Sequence, residues 1–105
     1  MGGQVTDDNL GPFKHRTHAQ RFTIQTLLTA YEAGVETYGA AITKVTGLPS
    51  GTVHPILARL QKEGWVESRA EDIEPRAGSR PRRRYYRLTN QGANAAREWL
   101  GKGNK

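Results

Sequence analysis

The chain has 105 residues and no cysteine, with 35% hydrophobic and 25% charged residues, which leaves room for one domain with one modest core and excludes disulfides and thiolate metal sites. Sixteen Lys and Arg against ten Asp and Glu give a net charge of +6, a balance that favours a polyanionic partner. No apolar run approaches the roughly 18 residues a membrane span needs and the N-terminus has no signal-peptide core, so no membrane association is expected and the expected location is the cytoplasm.

In chain order, residues 1–18 begin with paired glycines, contain a Gly-Pro step and lack any apolar period, so they are expected to form a flexible N-terminal arm. His15 and His18 are three apart, but no cysteine and no carboxylate cluster accompanies them, so they are read as solvated histidines and no metal is expected. Residues 19–89 should carry the folded domain. From about Ala19 to Glu32, the residues Ile24, Leu27, Leu28 and Tyr31, with Val35 just beyond, lie on one helical stripe, and Gly34 ends the helix. A second, shorter helix repeats the spacing with Tyr38, Ala41, Ile42 and Val45, and Gly47 and Pro49 punctuate the turn after it.

Val53, Ile56, Leu57 and Leu60 fall at i, i+3, i+4 and i+7, the pattern of a third helix lying on a core. Ser50 is expected to cap it, with Pro55 early in the helix, near amides that lack intrahelical partners. Two short helices joined by a Gly-containing turn read as helix-turn-helix. Opposite the apolar stripe of the third helix lie Gly51, Pro55, Ala58 and Lys62, flanked by Thr52, His54 and Arg59. A small midline with polar or basic flanks lets a backbone approach a grooved partner closely, as the DNA major groove requires; a merely solvated face would more often carry long charged side chains throughout.

After Gly64 the period changes from helical to alternating. Trp65 to Asp72, then a Pro- and Gly-containing stretch, then Arg83 to Thr89 read as strand, loop and strand. Tyr86 and Leu88 should turn inward and Tyr85, Arg87 and Thr89 outward, which makes Tyr85 the aromatic expected to stand exposed near the arginines. The loop holds Arg76, Arg80, Arg82, Arg83 and Arg84 around Pro75, Gly78 and Pro81. Guanidinium forks match phosphate oxygens, and a slim Gly/Pro loop can follow a backbone or enter a minor groove. Residues 90–105 should form a short helix from Asn90 to about Leu100, capped by Thr89 or Asn90, and a polar tail. Trp99 is expected in the core, with a subunit contact or a ligand wall as the alternatives.

The order of elements defines a mainly α fold with a small β-hairpin (α+β): a winged helix-turn-helix made of a three-helix cluster, a two-stranded wing and a short C-terminal helix. The segment YGAAITKVTGLPSGTVHPILARLQKEGWVESRAEDIEPRAGSRPRRRYYRLTNQG, from Tyr38 to Gly92, resembles the DNA-binding domain of PadR-type transcriptional regulators, with SGTVHPILARLQKEGWV and PRRRYYRLTNQG as its specific parts. The resemblance implies a repressor or autoregulator that binds double-stranded operator DNA as a homodimer, with the third helix in the major groove and the wing on the backbone or in the minor groove. It implies DNA-binding roles for Ser50, Gly51, Thr52 and His54 at the start of the recognition helix and for Arg80, Arg82 and Arg83 on the wing. Arg59 and Lys62, on the same helix, are further DNA-binding candidates from the facial pattern. Two departures stand out: His54 replaces the tyrosine usual in the motif, and the C-terminal region is shorter than the family's dimerisation helices.

The alternative is an architectural or protein-interaction winged helix without sequence-specific operator binding. Catalysis is not expected, because the carboxylates Glu71, Asp72 and Glu74 cluster on a hairpin and no phosphate-cradling motif or metal constellation accompanies them. No cofactor is expected, and a small-molecule effector is allowed by the resemblance but supported by no residue pattern.

Overall fold

The computed structural model describes residues 11–72 and 80–103. Among these the chain runs through α1 (His18–Ala33), β1 (Thr37–Tyr38), α2 (Gly39–Thr46), α3 (Ser50–Lys62), β2 (Val66–Ala70), β3 (Arg84–Leu88) and α4 (Asn90–Gly103). The expected three-helix cluster, hairpin and C-terminal helix are all present. No described helix is long and apolar enough to cross a membrane.

Thr17 starts α1 through a capping box, its hydroxyl accepting the Gln20 N–H while the Gln20 side chain accepts the Thr17 N–H. Gly34 stops it in the left-handed conformation at φ 75°. The helical phase ends there, which corrects the expectation for Val35: it lies beyond the cap and is 55% exposed. Val45 is likewise corrected. In the eight-residue α2 only Gly39 and Ile42 are buried, and Val45 is 72% exposed.

α3 buries the expected stripe of Val53, Ile56, Leu57 and Leu60. Its start differs from expectation: Pro49 occupies the cap, Ser50 is already helical, and Pro55 therefore falls in the second turn. Thr52 and Val53 donate to the Pro49 carbonyl; by the same ladder, the Gly51 carbonyl would need an N–H from residue 55 that proline does not have.

The sheet has three strands in the order β1-β3-β2, all antiparallel: β2 and β3 form the expected two-stranded wing, and the two-residue β1, not foreseen, pairs with β3. β1 pairs Thr37 with Tyr86 and Tyr38 with Tyr85. In the hairpin, Val66 faces Leu88 and Ala70 faces Arg84.

The core joins Ile24, Leu27 and Leu28 of α1, Ile42 of α2, the α3 stripe, Trp65, Val66 and Leu88, and Ala93, Ala96, Trp99 and Leu100 of α4. Trp99 is thus a core residue. Thr89 is the residue that caps α4, its hydroxyl accepting the Gly92 N–H at 2.8 Å while donating to the Gly64 carbonyl. The expected arm is not free over its whole length. Residues 1–10 lie outside the described part, but Phe13 packs on the core and meets the Trp99 ring, and Arg16 stacks 4.3 Å over that ring and donates to the Trp99 carbonyl.

Candidate nucleic-acid interface

With its stripe buried, α3 turns Ser50, Gly51, His54, Pro55, Ala58, Arg59 and Lys62 outward, with Thr52 half-buried at the edge. Pro49 provides no capping side chain, so the positive end of the helix dipole is left for water or an anion. Of the basic residues, Arg59 lies 4.0 Å from Glu63 in an exposed i,i+4 pair, worth little in water. Arg59 and Lys62 occupy the last turn of α3, away from Ser50 to His54 at its start.

The wing is organised at its base by one carboxylate. Glu71, one residue beyond β2, accepts both Nη atoms of Arg80 at 2.6 and 2.9 Å, the Arg83 N–H at 3.2 Å and the Tyr85 hydroxyl at 3.1 Å. The Arg80 hydrogen bonds above all, with the Arg83 N–H, the Tyr85 hydroxyl and the Arg80 charge, hold the Glu71 carboxyl down at about 2 against the opposing effect of burial. The same pairing raises Arg80 above the ordinary arginine value.

Neighbouring arginines are also engaged. Arg69 makes a two-point bond with Glu36 at 3.0 and 2.6 Å, Arg84 reaches the Ser68 hydroxyl at 3.1 Å, and Arg87 reaches Glu67 at 2.7 Å. The hydrogen bond from Arg69 is also what chiefly lowers the Glu36 carboxyl. Arg82 is exposed just before β3, and Arg76 lies outside the described residues. Tyr85 is half-buried, which corrects the expectation that it stands exposed: the Tyr38 ring meets it edge-on at 5.7 Å, the Arg69 guanidinium lies 5.0 Å over it, and its hydroxyl is held by Glu71.

Helix and wing meet on two consecutive residues. The Arg83 guanidinium lies 4.1 Å over the Tyr38 ring, a cation–π contact that leaves its charge unneutralised. The next residue, Gly39, carries the His54 imidazole against its backbone: a Cβ at position 39 would stand 2.7 Å from His54 Cε1 and 3.0 Å from Nε2. The wing thus contacts Tyr38 through Arg83, and the outer face of α3 contacts the next residue, Gly39, through His54. Sequence reasoning missed three participants: Tyr38, taken as helical core, Gly39, and Glu71, taken as one of several exposed acids. The Tyr-Gly pair at the head of α2 is the one local signal that could have pointed to a close approach. No group of three or more His, Asp or Glu side chains suited to a metal occurs among the described residues.

Residues 33–98 match the model of the transcriptional regulator PadR-like family. Among solved structures, the fold is similar to smu.1704 from Streptococcus mutans, at a TM-score of 0.62 and 22% identity over 88% of this chain and 84% of that one. It is also similar to a PadR family transcription regulator from Clostridium difficile, at 0.58 and 22% over 84% of each chain, and to a mutant of ZitR from Lactococcus lactis, at 0.61 and 17% over 85% of this chain. The chain spans about half of the length of ZitR, 53%. No protein with a curated description matches the sequence.

Proposed function

This chain belongs to the transcriptional regulator PadR-like family, and on that premise we propose that it is a repressor that binds operator DNA by sequence. In this reading α3 enters the major groove, with Ser50, Gly51, Thr52 and His54 facing base edges and Arg59 and Lys62 facing phosphates. The wing lies along the backbone or in the minor groove through Arg82 and Arg83. Two copies bind a two-fold site in the cytoplasm, so that half-sites fall about one helical turn apart.

One observation carries the reading: the consecutive residues Tyr38 and Gly39 contact Arg83 of the wing and His54 of α3 respectively, which ties both elements to one backbone step. Phosphate contacts fix a protein's register on a duplex, and base contacts in the groove choose the sequence. A stacked arginine that keeps its charge and a helix whose outer midline is small, both tied to that step, would supply the two kinds of contact. The sheet and helices contribute rigidity, because every residue between His54 and Arg83 in this chain of contacts belongs to a packed element.

Selection of bound fragments from a genomic DNA pool at two salt concentrations tests it. The expected result is a recurrent, symmetric motif, with affinity falling linearly in log salt by about 0.9 per phosphate neutralised. Equal retention of all fragments would point instead to architectural binding, and retention of none would remove the DNA reading.

A further inference from the structure

Arg80 and Arg83 are close in sequence, yet the structure treats them differently. Arg83 stacks on Tyr38 and gives its charge to no carboxylate in that contact, whereas both Nη atoms of Arg80 face the two oxygens of Glu71. Glu71 also holds the Arg83 N–H and the Tyr85 hydroxyl, and its own N–H donates to the Arg83 carbonyl at 2.8 Å. Those contacts tie both ends of the wing loop together just where β2 and β3 separate.

We propose that Glu71 is a positioning residue that clasps the base of the wing, and that Arg80 completes this clasp and does not contact a phosphate. Exposed ion pairs contribute little, but the Glu71 side chain is only 13% exposed and is bonded from three residues. Turning Arg80 toward DNA would trade one anion for another. It would also leave the Glu71 charge without its fork-matched partner and near a phosphate backbone that repels it. Keeping the clasp closed costs the wing one usable cation and fixes the direction in which Arg83 is presented.

The inference rests on the DNA-binding reading for its consequences but not for the clasp itself, and the test separates the two. Arg80→Gln and Glu71→Gln are compared with the parent by amide exchange without DNA, by salt titration on a random-sequence duplex, and on a duplex chosen by selection. Exchange at the Arg83 amide should quicken about fivefold or more in Arg80→Gln. The salt slope of Arg80→Gln should equal that of the parent, whereas Glu71→Gln, which releases Arg80, should steepen it by about 0.9. Preference for the selected duplex over the random one should fall about tenfold in both.

A slope lowered by about 0.9 in Arg80→Gln would make Arg80 a phosphate contact and overturn the proposal. Unchanged Arg83 exchange in Arg80→Gln, or unchanged preference in Glu71→Gln, would overturn the positioning role. If the parent binds no DNA, the functional reading fails, and the exchange measurement alone decides whether the clasp exists.

Discussion

Gly92, the third residue of α4, offers the sharpest test of how the C-terminal helix is seated. A Cβ there would overlap the backbone of Trp65, with the Trp65 carbonyl oxygen, carbonyl carbon and Cα the atoms it meets. That backbone has no room to yield. The Trp65 N–H donates to Leu60 at 2.9 Å, its carbonyl accepts from Thr89 at 2.9 Å, and its ring is buried. In Gly92→Ala the start of α4 must lift by on the order of 1 Å, an overpacking strain of about 1–3 kcal/mol. Lifting it also stretches the Thr89 cap, worth about 1 kcal/mol. Alanine's better helix propensity returns about 1 kcal/mol, so the net loss should be on the order of 2 kcal/mol, a melting point lower by roughly 10 °C in a domain of this size. Gly101→Ala is the control, because a Cβ there meets nothing within 4 Å among the described residues; it should be neutral or gain up to about 1 kcal/mol. Urea and thermal denaturation followed by circular dichroism read both. If Gly92→Ala proves as stable as Gly101→Ala, the packing of α4 on Trp65 is wrong.

Four further outcomes are expected. The Thr23 hydroxyl is fully buried with no hydrogen-bond partner among the described residues, so Thr23→Val should raise stability by about 1 kcal/mol; a loss on chemical denaturation would mean the hydroxyl is in use. Pro55→Ala restores an N–H inside α3 and should stabilise by on the order of 2 kcal/mol, an expectation that a lowered melting point would defeat. Gly39→Ala presses first on the His54 imidazole, which its side-chain torsions let swing aside, so stability should stay within about 1 kcal/mol of the parent, while affinity for a selected duplex changes; unchanged binding would show that the seat of His54 is irrelevant to recognition. Glu71 has a depressed carboxyl value of about 2 against an ordinary 4.5. Its stabilisation is therefore complete above that ordinary value and is lost as pH falls through the window to about 2. The stability difference between the parent and Glu71→Gln should shrink across that window, and parallel pH curves would contradict the assignment.

What was legible in the sequence was whatever local periodicity encodes. The apolar spacing of Ile24, Leu27 and Leu28, and of Val53 to Leu60, depends only on 3.6 residues per turn, and those residues are the core. Val35 was misassigned because periodicity carries no phase through a left-handed cap such as Gly34. β1 has only two residues and pairs with partners nearly fifty positions away, Thr37 with Tyr86, so no local pattern announces it. That hidden strand also explains Tyr85: alternation assigned it to the outer face, but Tyr38 on the neighbouring strand covers that face. The outward set Gly51, His54, Pro55, Ala58, Arg59 and Lys62 was readable from the helix period, whereas Ser50 was expected as a cap and is instead the first helical residue. The Glu71 clasp was not, because it depends on which arginine folds back and side-chain chemistry alone treats Arg80, Arg82 and Arg83 alike.

The arginine-rich stretch from Arg69 to Arg87 is less cationic in the fold than on paper. Arg69, Arg80 and Arg87 each face a carboxylate, on Glu36, Glu71 and Glu67, and an arginine so paired presents little net field beyond a Debye length of about 8 Å. Arg83 and Arg84 are held differently, by an aromatic face and by a hydroxyl, contacts that orient a guanidinium without neutralising it. Pairing therefore sorts one run of similar residues into those that build the wing and those that project charge from it. Among the described residues, Arg83 and Arg84 lie at the start of β3, and Arg83 is tied through Tyr38 to the residue, Gly39, that His54 of α3 contacts. Under the proposed function, a duplex would be drawn toward the part of the wing that Tyr38 holds, so electrostatic attraction would act through residues that packing already orients.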